Sequence, residues 1–375
     1  MNLLPLLSSV SERQCHGRII GAEREYEIHR NGARIDARQL WSTLEGLGAA
    51  LDPGDRNARR GPSGGVLTTD GWEAEVVTPP VSLAPGFTHR VLEHASAGAR
   101  HLQESLPREN ELHGYSTHIS VEVDDRHAAA IAKLIARRLS LPLMLALDRR
   151  GSPGLLVRPR HNRLEIGGEF VAGRQLRAAV SLAVAVVLLA ERAVDDRSVR
   201  RRLRDLPTAR VVPATERFGW FVDRRAFGPD LYAEGRKAIL HRRARAILAG
   251  DALSALWDVA RPHGAMVLAA DELDLVDCVV AGTEPIPLDA PIDDDGPVDP
   301  VRTDRWYGRR DLDQVCVSVA AATWLQALLE VRSDERVRWL IVPGRALDAV
   351  LDGLDRGELA AEIASLVCRS VPTPT

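Results

Sequence analysis

The chain has 375 residues, of which 45% are apolar and 27% charged, and its formal net charge is −3. This composition is typical of a soluble globular protein, and the slightly acidic balance gives no electrostatic basis for a nucleic-acid partner. The four cysteines are widely spaced without a C-x-x-C pair, which indicates neither a thiolate zinc site nor a disulfide framework and favours a cytoplasmic protein.

The apolar segments predict no association with a membrane. No basic segment precedes the short apolar stretch at the N-terminus, so we predict no secretory signal. The longest apolar run covers residues 178–190, and 13 residues are too few to cross a bilayer as a helix. We therefore predict a buried core helix there.

The elements follow from the periodicity of the apolar residues. The predicted strands of the first half cover 18–29, 65–78, 116–123, 155–158 and 163–167. The predicted helices cover 36–51, 87–106, 125–139, 173–194, 229–249, 251–260, 310–331 and 345–368. The segment 285–304 is rich in Pro and Asp and predicts a flexible loop.

The first predicted strand has an acidic face. Alternate side chains of an extended chain point the same way, so Glu23, Glu25, Glu27 and His29 share one side. Neighbouring carboxylates then stand roughly 6 to 7 Å apart and repel by roughly 2.5 kcal/mol at an effective dielectric constant of about 20, against about 0.6 kcal/mol in water. If this face is exposed, the repulsion between its carboxylates costs little free energy. If the face lies inside a cleft, a bound cation is required to offset the repulsion.

Three later segments carry chemically useful side chains at strand spacing. In TTDGWEAEVVTPP, residues 68–80, Glu73 and Glu75 share a face. In STHISVEV, residues 116–123, the polar side consists of His118, Ser120 and Glu122. The segment RPRHNRLEIGGEF, residues 158–170, mixes phosphate-binding and metal-binding residue types, namely Arg158, Arg160, Arg163 and Glu165.

Four motifs in this order resemble those of the carboxylate-amine ligases, the family of glutamate-cysteine ligase and the putative amidoligases, which are distantly related in fold to glutamine synthetase. The motifs are G-A-E-R-E at 21–25, T-T-D followed by E-V-V-T-P at 75–79, T-H-I-S-V at 117–121, and R-L-E at 163–165. The resemblance covers roughly residues 18–170.

The resemblance implies an α+β fold with a curved antiparallel sheet, flanked by helices, whose concave face is the active site. We accordingly predict a catalytic sheet region at 1–170, and the helical patterns beyond it predict a mainly helical region at 171–375 that completes the core and the substrate pocket. It also implies ATP and Mg²⁺ as cofactors. In the expected reaction, ATP phosphorylates the carboxylate of a small molecule, which we expect to be an amino acid. An amine then attacks the resulting acyl phosphate.

Site residues follow from the resemblance position by position. The implied metal ligands are Glu23, Glu25, Glu75, His118 and Glu165. Glu75 is alternatively a contact to the amine, and Asp70 is a weaker candidate. Ser120 and Gly167 stand where the family has a second His and an Arg. For the role of that Arg we expect Arg158, Arg160 and Arg163 as ATP-binding residues, with Arg160 and Arg163 also catalytic.

Several alternatives stay open. The acidic strand is also compatible with an edge strand whose charged face is solvated. His118 is also compatible with a hydrogen-bonded sheet residue that binds no ligand. The departures at Ser120 and Gly167 fit a catalytically degenerate member of the fold that binds a ligand or a protein. A phosphotransferase on the related guanidino-kinase fold is a third possibility. The sequence determines neither the substrates nor whether the protein forms a homo-oligomer.

Overall fold

A 12-stranded antiparallel sheet dominates the computed structural model of the chain. The structure describes residues 17–52, 55–213, 219–242, 245–289, 309–312, 315–333 and 337–368. The strands of the large sheet are β1 (Ile19–Arg30), β2 (Ala33–Ile35), β3 (Ala50–Asp52), β4 (Asp55–Arg60), β5 (Val66–Asp70), β6 (Glu73–Val77), β7 (Val81–Ser82), β8 (Asn110–Glu122), β9 (Gly154–Arg160), β10 (Arg163–Glu169), β11 (Val212–Pro213) and β12 (Trp220–Asp223). Their order is β11-β12-β9-β10-β8-β1-β6-β5-β4-β3, and β2 and β7 both pair with β1.

The sheet has one apolar and one polar face, as alternation along its strands requires. On β1, Ile20, Ala22 and Ile28 are at most 1% exposed. They pack in two hydrophobic cores on the apolar side. The opposite side of β1 carries the acidic residues, and we call this side of the large sheet the polar face.

Helices cover the apolar face. They are α1 (Ala37–Trp41), α2 (Phe87–Ser105), α3 (Asp125–Leu134), α4 (Ser140–Leu147), α5 (Gly173–Asp195), α6 (Arg197–Arg202), α7 (Leu231–Glu234), α8 (Ala249–Gly264) and α9 (Ala270–Ala281). Every residue of the apolar run 178–190 is buried in α5, which confirms the predicted core helix. None of the helices in the described ranges is long and apolar enough to cross a membrane.

The C-terminal part forms a second sheet with its own hydrophobic core. Its strands are β15 (Arg310–Asp311), β16 (Cys316–Ala322), β17 (Gln326–Arg332) and β18 (Val337–Pro343), and its helices are α10 (Leu347–Asp355) and α11 (Ala360–Cys368). The predicted helix at 310–331 is therefore wrong. Val315, Val317 and Val319 are buried at every second position, and this period of two is that of a strand.

Other boundaries also differ from the predictions. The predicted strand 65–78 is a hairpin, because Gly71 adopts a φ of +59° and turns the chain between β5 and β6. The predicted helix 229–249 divides into α7, a 3₁₀ turn and a hairpin of β13 (Ile239–Arg242) and β14 (Arg245–Leu248). The predicted helix 36–51 shortens to α1, a 3₁₀ turn and β3. Of the loop predicted at 285–304, residues 290–304 lie outside the described ranges.

The architecture is α+β, with a large antiparallel sheet flanked by helices, as predicted. Because period-two segments of β1, β6, β8, β9 and β10 are adjacent in the sheet, their polar sides form one continuous surface. The position of each candidate residue then follows from the strand register.

Candidate active site

The strand register brings all five predicted metal ligands to the polar face. Glu25 lies directly opposite Glu75 of β6, and Glu23 lies directly opposite His118 of β8. On β10, Glu165 pairs with Ser120, two positions from His118. Residues directly opposite each other in antiparallel strands point to the same side. Side chains separated by more than 140 positions in the chain thus share one surface.

His118 lies between three carboxylates. Its Nδ1 is 3.8 Å from Glu23 Oε2, 3.9 Å from Glu25 Oε1 and 3.8 Å from Glu165 Oε1. Burial by itself lowers the pKa of His118, but the contact with Glu23 and the charges of Glu25 and Glu23 outweigh it and raise the pKa. The imidazole is therefore held towards its cationic form at the centre of the acidic cluster.

The acidic side of the cluster holds more negative charge than nearby cations neutralise. Burial, followed by the charges of Glu23, Glu25 and Asp70, raises the pKa of Glu75 to about 8. Burial also raises the pKa of Glu25, although Ser116 Oγ donates a hydrogen bond of 2.6 Å to its Oε2. For Glu23, burial raises the pKa, but the contact with His118 and its charge lower it by more.

The basic side of the cluster is organised around Glu165, which is 1% exposed. It accepts a hydrogen bond from Arg158 Nη2 and another, 3.0 Å long, from Arg160 Nε. Arg163 instead places its guanidinium over the ring of Trp324, 5.3 Å from the ring centroid. Its Nε has no hydrogen-bond partner among the described residues. Arg163 is thus the arginine best placed to receive an external anion.

The fit of Mg²⁺ to these residues differs across the cluster. Oxygen donors suit Mg²⁺, and the raised pKa of Glu75 reflects an excess of negative charge that a dication would remove. Glu165 already serves two guanidinium groups. Within the described ranges, no three His, Cys, Asp or Glu side chains converge closely enough to hold a metal ion. Of the predicted ligands, Glu23, Glu25 and Glu75 are better candidates for a cation than Glu165, but their side chains would have to come closer together to hold one.

Gly167 faces the ring of His118. A Cβ atom at Gly167 would lie 2.8 Å from Cδ2 and 3.1 Å from Nε2 of His118. Such distances are shorter than van der Waals contact, so any larger residue would displace the imidazole. The glycine at this position therefore has a local packing reason, and the arginines of β9 and β10 lie beside it.

This contact makes a testable prediction. We expect Gly167→Ala to lower the free energy of unfolding by about 1 to 2 kcal/mol, because the His118 imidazole has to move. Gly151→Ala is the matched control, since a Cβ there would contact nothing within 4 Å. Urea denaturation of the two variants measures this effect. Equal behaviour of the two variants would contradict the role given to Gly167.

Part of this site has no signal in the sequence. A cavity of about 260 Å³ at one end of the polar face is lined by Glu23, Thr78, Ser120 and Arg163, and by Trp324 from the turn between β16 and β17. The Ser120 hydroxyl is buried and has no hydrogen-bond partner among the described residues. Trp324 lies in the segment that we predicted to be helical, and no local pattern indicates that it reaches β1.

Comparison with known proteins adds a structural similarity. No protein-family model matches the chain, and no curated protein matches it. The chain is similar to the crystal structure of the complex between prokaryotic ubiquitin-like protein Pup and its ligase PafA, with 13% sequence identity and a TM-score of 0.42. The similarity covers 73% of this chain and 65% of that one. A TM-score this low does not establish a shared fold, so the functional proposal rests on the geometry of the polar face.

Proposed function

We propose that the protein is an ATP- and Mg²⁺-dependent ligase that joins a carboxylate to an amine. The observation that supports this most strongly is the charge layout of one surface: Glu23, Glu25 and Glu75 lie on the strands to one side of His118, and arginines lie on the strands to the other side. A reaction that transfers a phosphoryl group needs a site for cations beside a site for anions. Few other substrates require a cation site and an anion site on the same face of a sheet.

The carboxylates have the role of metal ligands in this proposal. Glu23, Glu25 and Glu75 would hold Mg²⁺, which when bound neutralises phosphate oxygens and orients the transferred group. His118 contributes positive charge next to Glu23 and Glu25. The rigid register of β1, β6 and β8 fixes these groups before substrate arrives, which reduces the reorganisation that the reaction requires.

The arginines have the role of anion binders. Arg163 would bind phosphate oxygens of ATP, since its Nε lacks a partner among the described residues and Trp324 holds its guanidinium in place. Arg158 and Arg160 would assist from the neighbouring strand, although both already bind Glu165. A planar guanidinium suits this task because it forms two parallel hydrogen bonds to a phosphate or carboxylate.

The proposed reaction has two steps. A carboxylate oxygen of the acid attacks the γ-phosphorus of ATP, and the bond to the β-γ bridging oxygen breaks, which gives an acyl phosphate and ADP. The amine nitrogen then attacks the acyl carbon, inorganic phosphate leaves with the bonding electron pair, and the nitrogen loses a proton to solvent. The protein supplies no covalent nucleophile; it positions the reactants and excludes water.

The test is ADP and phosphate release with ATP, Mg²⁺ and a panel of acids, each combined with hydroxylamine or a primary amine. We expect release that depends on both the acid and the nucleophile, with formation of the hydroxamate or amide detected by mass. A stable phosphorylated product without any amine would favour a phosphotransferase instead. If no pair supports turnover, the ligase proposal fails.

One observation favours a second candidate, a binding module without catalysis. Both guanidinium groups nearest to Glu165 are already engaged by that carboxylate, so the phosphate-binding capacity of the site is reduced. A titration of the protein with ATP and Mg²⁺ separates the two candidates. If ATP and Mg²⁺ do not bind, and if the Glu23→Ala variant behaves like the wild-type protein, the binding module is favoured.

A further inference from the structure

A second cation-binding arrangement lies on the polar face, next to the proposed site. Arg34 of β2 is paired with His29 of β1, so its side chain belongs to the polar face. Its Nη1 lies 3.0 Å from Glu27 Oε1, and its Nη2 bonds Glu73. Its guanidinium carbon lies 5.7 Å from the ring centroid of Trp72 and 5.6 Å from that of Tyr115. We call Glu27, Glu73, Trp72 and Tyr115 the cage.

The two aromatic rings of the cage are about half exposed to solvent. Trp72 is 52% exposed and Tyr115 is 45% exposed. Tyr115 is the extra residue of a bulge in β8, because Glu25 pairs with Ser116 while Tyr26 pairs with Gly114. Bulges re-aim a side chain, and they are frequent beside active sites. Trp72 lies in the turn between β5 and β6.

The chemistry of the cage is that of ammonium recognition. Aromatic faces attract alkylammonium groups through their quadrupole, and carboxylates add hydrogen-bond acceptors and charge. Arg34 shows that a cation is accommodated there. Burial and then the charges of Glu73 and Glu25 raise the pKa of the Tyr115 hydroxyl, which reflects a negative local potential.

The location of the cage connects it to the proposed reaction. Glu27 is the next residue after Glu25 on the same face of β1, and it faces the side of β6 that carries Glu73 and Glu75. One such step along a strand is about 6 to 7 Å. A cation in the cage would therefore lie one step from the acidic cluster, at the end of the polar face opposite Trp324.

We propose that the cage is the subsite for the amine substrate, that this substrate binds as an alkylammonium and releases one proton to solvent before its nitrogen attacks, and that Arg34 is an internal placeholder which the substrate displaces. This inference rests on the proposed ligase function. Displacement costs little free energy, because the Arg34 side chain is 35% exposed on a three-residue strand and exposed ion pairs contribute little to stability. The displaced guanidinium of Arg34 would be hydrated by solvent.

A binding experiment without ATP tests the subsite itself. The probe is N-acetyl-lysine amide, and the control probe is N-acetyl-norleucine amide, which has the same four-carbon stem without the ammonium group. We expect Arg34→Ala to bind the lysine probe at least tenfold more tightly than the wild-type protein does, and to show no such gain for the norleucine probe. Adding Trp72→Ala to Arg34→Ala should remove the gain. Equal affinity of wild type and Arg34→Ala for the lysine probe would overturn the proposal.

Two controls address folding and general charge effects. Arg34→Lys keeps an internal cation, so it should bind the probe as the wild-type protein does. Arg30→Ala removes a positive charge from the same hairpin, where Arg30 contacts Asn110 and Glu109 and not the cage. A gain in affinity for Arg30→Ala equal to that for Arg34→Ala would mean that net charge alone explains the effect, and this too would overturn the proposal.

A turnover experiment separates the subsite from the ligase reaction. Hydroxylamine is small and uncharged near pH 8, so it needs the cage less than an alkylammonium does. We expect the Trp72→Ala/Tyr115→Ala variant to raise the KM for an alkylamine about tenfold more than the KM for hydroxylamine. Equal increases would contradict the subsite. Absence of hydroxylamine-dependent ADP release in the wild-type protein would instead contradict the ligase function, whereas the binding experiment would still decide the subsite.

Discussion

Glu75→Gln is expected to stabilise the protein at pH 8.5 and, at the same time, to reduce ATP-dependent amide formation at least about 100-fold. Both effects have one origin. The pKa of Glu75 is raised from 4.5 to about 8 by burial and by the charges of Glu23, Glu25 and Asp70. The charged form of this carboxylate is therefore unfavourable in the folded protein unless a cation is bound.

The sign of the pH dependence follows from this shift. Below pH 4.5 the carboxyl group is protonated in both the folded and the unfolded state, so its contribution to stability is complete. Between pH 4.5 and about 8 the unfolded chain loses the proton while the folded protein keeps it, and stability falls as the pH rises. Above about pH 8 the loss is complete. Glutamine does not titrate, so the variant lacks this loss.

The size of the effect is about 2 to 4 kcal/mol at pH 8.5, since one pKa unit corresponds to about 1.4 kcal/mol and solvent reaches part of this side chain. Urea denaturation between pH 5 and 9, without divalent ions, measures it. Glu104→Gln on α2 is the matched control, because Glu104 is exposed on a helix away from the polar face. A flat difference between Glu75→Gln and the wild-type protein across this range would contradict the interpretation.

Addition of Mg²⁺ and ATP completes this test. A ligand that binds only the folded state raises stability by mass action, so the wild-type protein should gain thermal stability at pH 8.5 and Glu75→Gln should gain less. Activity lost without any change in the response to Mg²⁺ and ATP would favour the alternative role of Glu75, a contact to the amine.

The sequence predicts the acidic cluster well because a strand has a strict period of two. Once β1, β6 and β8 are strands, the shared side of Glu23 and Glu25, of Glu73 and Glu75, and of His118 and Ser120 is determined. Which strands are neighbours is a property of the tertiary structure. For that step the sequence analysis depended on the order of four motifs, and the register in the sheet is consistent with it.

Other parts of the site have no local signal. Trp324 reaches the cavity because a second sheet, more than 140 residues beyond Arg163, packs near the end of β1. Tyr115 reaches the cage only because the bulge in β8 inserts one residue, and a pure alternation would place it elsewhere. The prediction of a helix at 310–331 was wrong for a related reason. In a short segment, alanines and valines are compatible with both the helical period and the strand period.

Arg158→Ala is expected to destabilise the folded protein. Glu165 is 1% exposed and accepts hydrogen bonds from Arg158 and Arg160. Removing one partner of a buried ion pair leaves a charge that water does not reach, which costs about 3 to 5 kcal/mol when no other partner exists. Because Arg160 remains, we expect a loss of about 2 to 4 kcal/mol in the free energy of unfolding.

A double-mutant cycle tests whether this cost arises from Glu165. Glu165→Gln removes the negative charge, so the Arg158→Ala/Glu165→Gln variant should regain most of the stability that Arg158→Ala loses. Arg163→Ala is the comparison, since Arg163 does not bond Glu165 and its removal should cost less. If the double variant is no more stable than Arg158→Ala, then the stability of this region does not depend on the buried charge.

The same variants separate two roles of Arg158 in catalysis. If Arg158 only neutralises Glu165, the refolded double variant should recover ATP-dependent turnover together with its stability. If Arg158 also binds phosphate, the double variant should be stable but should keep a raised KM for ATP, because glutamine at position 165 does not replace the lost guanidinium. We expect the second result, since Arg158 lies directly opposite Glu165 on the polar face and its Nε has no partner among the described residues. Full recovery of the KM for ATP would assign Arg158 to the support of Glu165 alone and leave Arg163 as the main phosphate-binding residue.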